Sequence, residues 1–135
     1  MKTPGEIISQ MYDNDAFSLW LGIERLAEKA GYCHLKMVVR QEMTNGFGIA
    51  HGGITYSLAD SALAFASNSH GQQAMSIETS ISHTRPVKAG DELWAEAIEL
   101  NKSRRLAIYE VKVTNQDKHT VALFKGTVFR TEKDW

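Results

Sequence analysis

One cysteine, two prolines and no long apolar run set the first limits on this 135-residue chain. A lone thiol, Cys33, cannot form an internal disulfide, so a packed core must hold the fold and a reducing cytoplasm is the expected setting. The N-terminal MKTPGEIISQMYDND lacks the apolar stretch of a secretory signal. Gly52 to Ser69 is weakly charged, yet Asp60, several hydroxyls and Asn68 interrupt it, which disfavours a lipid-spanning helix. Neither sign of charge dominates: 15 Lys and Arg face 16 Asp and Glu. With no global field to hold nucleic acid or an anionic membrane, neither partner is expected, and any anionic ligand has to be caught locally. No repeat, low-complexity tract or Pro-rich linker divides the chain. Residues 1–135 therefore read as one domain, within the roughly 100–200 residues that one core usually organises.

Hydropathy patterning places the elements. Residues 5–20 read as one or two short helical pieces, with Ile7, Ile8, Met11, Phe17, Leu19 and Trp20 available for burial. LGIERLAEKAGY fits either an amphipathic helix or a strand ending in a turn at Lys29–Gly31, and periodicity does not separate the two. Residues 32–42 alternate as a strand. After the glycine-rich NGFGIAHGG, residues 54–68 read as a buried helix, because few positions suit solvent. Four further β-like runs cover 74–84, 92–100, 106–114 and 120–130, separated by RPVKAGD, NKSRR and NQDK turns. One buried helix with consecutive antiparallel strands gives an α+β domain, its sheet wrapped around the helix.

Asp60 is the one charged residue between His51 and His70. An ionised carboxylate on a buried helix is costly without partners or a water-lined cavity, which marks it for chemistry or for a structural hydrogen bond. His51-Gly52-Gly53 opens the same helix. Side-chain-free residues there let a ligand oxygen approach unpaired N–H groups at the positive end of the helix dipole, where a carbonyl gaining negative charge is stabilised. The plainer alternative is an ordinary glycine turn. The chain has no G-x-S-x-G elbow, no phosphate loop and no Cys or His pair at metal spacing, so no metal or cofactor is expected. Cys33, on an alternating strand, reads as packing and His51 as a turn or cap residue.

Taken together, Asn45-G-F-G-I-A-His51-Gly52-Gly53, S-L-A-Asp60, A-S-Asn68-S-H-G, S-I-E-T-S-I-S-H-T-Arg85-P, A-G-D and T-V-A-L-F-K-G resemble the hot-dog thioesterase superfamily. Within it, the likeness is to the PaaI-type thioesterases of phenylacetic acid degradation, and it covers nearly the whole chain from Phe17 onward. The resemblance implies a hot-dog fold, a long central helix wrapped by a curved antiparallel β-sheet, and makes LGIERLAEKAGY a strand. It also implies roles: Asp60 as catalytic carboxylate, Gly52 as the N–H that polarises the thioester carbonyl, and Asn45 and His51 as polar lining of that pocket. Ser76 falls where relatives place a hydroxyl that orients water or the carboxylate. The implied substrate is an aryl acyl-CoA, with medium-chain acyl-CoA as the alternative, and Arg85, Lys88, Arg104 and Arg105 are candidates for its phosphates. A non-catalytic acyl-CoA-binding module would not need Asp60, and a hot-dog dehydratase would carry D-x-N-x-x-H, which is absent. Gly52 and Asp60 lie about 12 Å apart on one helix, at 1.5 Å per residue. The expected assembly is therefore a homodimer with shared sites, and the resemblance extends it to a homotetramer.

Overall fold

The weakly charged segment after the glycine-rich turn forms α3 (Gly52–Asn68) in a computed structural model that describes Met1–Trp135. Leu58, Ala59, Ala62, Leu63, Phe65 and Ala66 are buried. Tyr56, Ser57, Asp60, Ser61 and Ala64 recur on one side as a half-buried stripe, as a period of 3.6 requires. The helix is thus not buried all round. At its C-terminal end, the Asn68 amide donates to Ala64 O (2.8 Å) and Ala74 O (3.0 Å), while its Oδ1 accepts the Ala74 N–H (2.8 Å). That buried side chain fastens the helix end to the strand that follows.

Two short helices precede the sheet, α1 (Pro4–Asp13) and α2 (Ala16–Leu21). Thr3 and Glu6 close a capping box at α1. Ile7 and Ile8 are buried, but Phe17 (51 % exposed), Leu19 and Trp20 are not, against the sequence expectation. The single turn of α2 directs Ser18 and Leu21 inward instead. Phe17 and Trp20 stack on the outside, under the Arg40 guanidinium, 4.8 Å from the Trp20 ring centre.

The sheet comprises β1 (Glu24–Lys29), β2 (Tyr32–Val38), β3 (Gln72–His83), β4 (Glu92–Lys102), β5 (Leu106–Asn115) and β6 (Thr120–Asp134). Its order is β1-β2-β4-β5-β6-β3, and every pairing is antiparallel. The LGIERLAEKAGY segment is the strand that the family resemblance implied, not the alternative helix, although it starts later because Leu21 still belongs to α2. Gly31, at φ +75, makes the tight turn into β2. The strand expected over 32–42 ends at Val38, with a 3₁₀ turn over Gln41–Met43.

Alternate residues point at α3: Cys33, Leu35 and Met37 from β2, Leu93, Ala95 and Ala97 from β4, Ala107, Tyr109, Val111 and Val113 from β5. Gly126 on β6 brings the backbone against the helix, since a Cβ there would sit 2.5 Å from Leu63 Cδ2. Gly126→Ala is expected to lower stability by about 1–3 kcal/mol through overpacking. Thermal unfolding checks this, and an unchanged Tm would contradict so close a helix–sheet contact.

Candidate active site

The entrance of α3 is built before the helix begins. Asn45 Oδ1 accepts the N–H groups of Phe47 (2.9 Å) and Ile49 (3.4 Å), and Gly48 takes φ +76 to close that turn. The Ala50 N–H donates to Val87 O (2.7 Å) and the His51 N–H to Met43 O (2.8 Å), so both flanking loops anchor the two residues that lead into the helix. His51 is the N-cap: its Nδ1 accepts the Gly53 N–H at 3.1 Å, and its carbonyl accepts the Ile54 N–H at 2.9 Å. The Gly52 N–H is left with no acceptor in the chain.

It borders a cavity of about 350 Å³, whose walls include Asn45, Thr55, His83, Thr84 and Arg85. His83 closes one wall, with Nε2 3.2 Å from where a Gly52 Cβ would stand. No side-chain pattern in the sequence marks His83, since its neighbour here is a glycine. Asn45 and Gly52 both line this cavity. His51 does not line the cavity; it points back into the helix end as a cap.

Asp60 lies two turns further along α3, on the half-buried stripe and outside that cavity. Burial, and then the charge of Asp15, raise its carboxyl above the usual carboxylate range. Asp15 is the N-cap of α2, accepting the Ser18 N–H (3.0 Å) and Ser18 Oγ–H (2.6 Å). Ser18, itself 1 % exposed, shares a 2.8 Å hydrogen bond with Ser61, the neighbour of Asp60. This approach of α2 to Asp60 is a tertiary contact, with no local sequence pattern to mark it.

Ser76 sits on β3, which pairs with β6 and leaves its other side open. It is exposed and next to a bulge between Ser76 and Glu78, and it does not line the Gly52 cavity within one chain. Among the candidate cations, Arg85 lines the cavity, whereas Arg104 is engaged by Glu132 at 2.8 Å on the β4–β5 turn. Cys33 is buried and its thiol is pushed well above the ordinary range by desolvation, consistent with packing. No three His, Cys, Asp or Glu side chains converge, and no helix is long and apolar enough to cross a membrane.

This geometry can be set beside known proteins. The family model of the thioesterase superfamily matches residues 47–122, from the glycine turn to the start of β6. A putative esterase of Archaeoglobus fulgidus is 43 % identical over 93 % of this chain and 81 % of its own. The acyl-coenzyme A thioesterase PaaI of Escherichia coli is 39 % identical over 89 % of this chain and 86 % of its own. The structure of the E. coli PaaI protein from the phenylacetic acid degradation operon superposes with a TM-score of 0.95, covering 97 % of this chain and 95 % of the other. With the helix, the wrapped sheet and the sequence all in agreement, the chain belongs to the thioesterase superfamily, as a hot-dog thioester hydrolase of the PaaI type.

Proposed function

We propose that the protein hydrolyses acyl-CoA thioesters in sites shared between two copies of the chain, with arylacetyl groups such as phenylacetyl or hydroxyphenylacetyl as the favoured acyl part. The acyl preference rests on the likeness to E. coli PaaI. The observation that carries the shared site is the separation within one chain: Gly52, whose N–H is free, lines a cavity that Asp60 does not line, about 12 Å away along the helix. A reacting carbonyl needs its oxyanion donor and its attacking group each within about 3 Å or one water. Two antiparallel α3 helices supply both, with Asp60 of one subunit opposite Gly52 of the other, and a two-fold axis makes two such sites.

The open edge of β3 supports that pairing. Met75 (61 %) and Ile77 (60 %) are exposed there, on a strand with one free row of backbone N–H and C=O groups. Such an edge is ordinarily protected by charge, proline or a cover; a second β3 would cover it and carry Ser76 toward the shared site. Dimers then pair into the homotetramer.

In this site the thioester oxygen accepts the Gly52 N–H, whose position on the helix dipole favours the developing negative charge. Asp60 either removes a proton from water as the water oxygen bonds to the carbonyl carbon, or attacks that carbon itself to give a mixed anhydride. On the water route the C–S bond then breaks and the thiolate takes the proton that Asp60 removed; on the attack route departure of the thiolate completes the anhydride, and water then cleaves it to the free acid and the Asp60 carboxylate, supplying the proton that the thiolate takes up. A single turnover in ¹⁸O-water that leaves label in the Asp60 carboxylate identifies the attack route, with water entering the anhydride at the Asp60 carbonyl.

Thiol release over aryl, short, medium and long acyl-CoA esters tests the function. Turnover that EDTA leaves intact is expected, highest on arylacetyl esters; a medium-chain optimum would replace the aryl assignment, and no turnover on any ester would end the hydrolase reading. Asp15→Asn keeps a cap acceptor for Ser18 but removes the charge that raises Asp60. The acid limb of kcat/KM, where Asp60 must lose its proton, is expected to move to lower pH. An unmoved limb would mean that Asp15 and Asp60 are not electrostatically coupled.

A further inference from the structure

The row of β3 side chains that faces α3 ends on a polar residue. The bulges of this strand all lie before Glu78, so Thr79, Ile81 and His83 share one face. The Thr79 hydroxyl shares a hydrogen bond with that of Tyr56 on α3 (2.5 Å), and Ile81 packs against the core. Two residues further on, the strand has reached the start of the helix, and the same face presents His83 to Gly52.

The His83 ring arrives there with one nitrogen leading. Nε2 is 3.2 Å, Cε1 3.5 Å and Cδ2 4.0 Å from where a Gly52 Cβ would stand. The backbone behind the ring is pinned: His83 pairs with Ala122 of β6, and Thr84 donates its N–H to Val121 O (2.9 Å) and its hydroxyl to Thr120 O (2.7 Å). The ring itself is exposed and makes no hydrogen bond in the chain. The histidines at the two ends of α3 are already engaged, His51 Nδ1 by the Gly53 N–H and His70 Nε2 by Glu99. His83 Nε2 remains a free donor, carrying hydrogen in one neutral tautomer and in the charged ring.

Its distance from the Gly52 N–H suits a shared acceptor. One oxygen that accepts two hydrogen bonds of about 2.9 Å holds donors up to about 5.8 Å apart. The Gly52 nitrogen and a Cβ on that residue would both be one bond from Cα, roughly 2.5 Å from each other. With Nε2 3.2 Å from that Cβ position, the two nitrogens are separated by no more than about 5.7 Å. They also lie at the same end of the helix, since Cα–Cβ bonds tilt toward the N-terminus, where the first N–H groups point.

We infer that His83 is a second catalytic donor of this site, its Nε2–H joining the Gly52 N–H on the carbonyl oxygen of the thioester as negative charge develops there. The inference rests on the thioesterase reading and deepens it. Both donors come from one chain, whereas the attacking carboxylate of the shared site comes from the other. His83 keeps its proton throughout, because the oxygen returns its charge to the carbonyl as the C–S bond breaks.

Kinetics on the full-length protein test this with two variants. His83→Phe keeps the bulk of the ring and removes the donor; kcat is expected to fall about 100-fold, the lower end for an oxyanion donor, with KM within about twofold of wild type. His83→Gln places an amide N–H near the same point and should hold kcat within about tenfold of wild type. The His83→Phe factor should be equal on esters of alkyl thiols and of the more acidic aryl thiols, because the donor serves oxygen and not sulfur. A loss confined to alkyl thiol esters would make His83 an acid for the departing sulfur, and a His83→Phe kcat within about twofold of wild type would leave it no part in catalysis; either overturns the inference. A readout without turnover separates these results from failure of the hydrolase reading. The ketone analogue of the acyl-CoA, with CH2 in place of sulfur, should show a lowered carbonyl stretching frequency when bound to the wild type, and His83→Phe should return part of that shift. If no ester is hydrolysed and the stretch still depends on His83, the donor pair stands and the catalytic reading fails. A stretch indifferent to His83 overturns the inference whatever the turnover.

Discussion

Asp60→Asn is expected to lower kcat by about 100-fold or more, the usual cost of removing a base or nucleophile, while substrate binding survives. Amide and carboxylate have the same shape, and Asp60 makes no hydrogen bond in the chain that an amide would break, so the fold should be kept. Stability gives a second readout with a definite sign. Burial and the Asp15 charge raise the Asp60 carboxyl above its reference value of 3.8, so the folded protein holds that proton more tightly than the unfolded chain. The resulting penalty is absent below the unfolded value, grows as pH climbs through the folded one and is fully present above it. Asn carries none of it, so Asp60→Asn should raise Tm at neutral pH, with the gap to wild type closing as the pH approaches 4. Near wild-type turnover in a folded Asp60→Asn protein would make Asp60 structural. A Tm that falls at neutral pH would mean that the carboxylate has partners in the assembled protein.

Mixing two inactive variants should restore activity. Gly52→Pro deletes the unpaired N–H and little else: Gly52 is the first helical residue, where proline is favoured, and His51 before it, at φ −58 and ψ 136, already has the extended conformation that proline demands. His83 must give way slightly, at 3.2 Å. In a mixed dimer of Gly52→Pro and Asp60→Asn chains, one of the two sites has an intact Gly52 from one subunit and an intact Asp60 from the other. Each parent should be nearly inactive, and activity should return to about half the wild-type value per mixed dimer. No recovery in folded, demonstrably mixed dimers would place donor and carboxylate in the same chain, as would a fully active monomer on a sizing column.

Much of this was legible in the residues. Alternation in β2, β4, β5 and β6, and the run of small and apolar residues in α3, define an α+β chain because side-chain period and burial are local properties of the backbone. The glycines at the helix entrance and the lone charge of Asp60 were equally plain. Periodicity could not choose between helix and strand for residues 21–32; the family motif did, and pairing of β1 with β2 explains why. Phe17, Leu19 and Trp20 look like core from composition alone, yet a six-residue helix has one inward face, and Ser18 and Leu21 occupy it.

By itself, then, the sequence determined most of the helices and strands outside residues 21–32, which residue types stand ready for chemistry, and that one helix cannot bring Gly52 and Asp60 to the same carbonyl, since these follow from spacing along the chain. Only the tertiary structure decided that the Gly52 N–H stays free while His51 caps its neighbour, that Asp15 reaches Asp60 through its field and the Ser18–Ser61 bond, and that His83 comes up against Gly52. The His51 cap is local but is held by contacts to Met43 and Val87; the others join residues far apart in the chain through strand register or a helix contact, and a long-range juxtaposition has no local pattern from which it could be read.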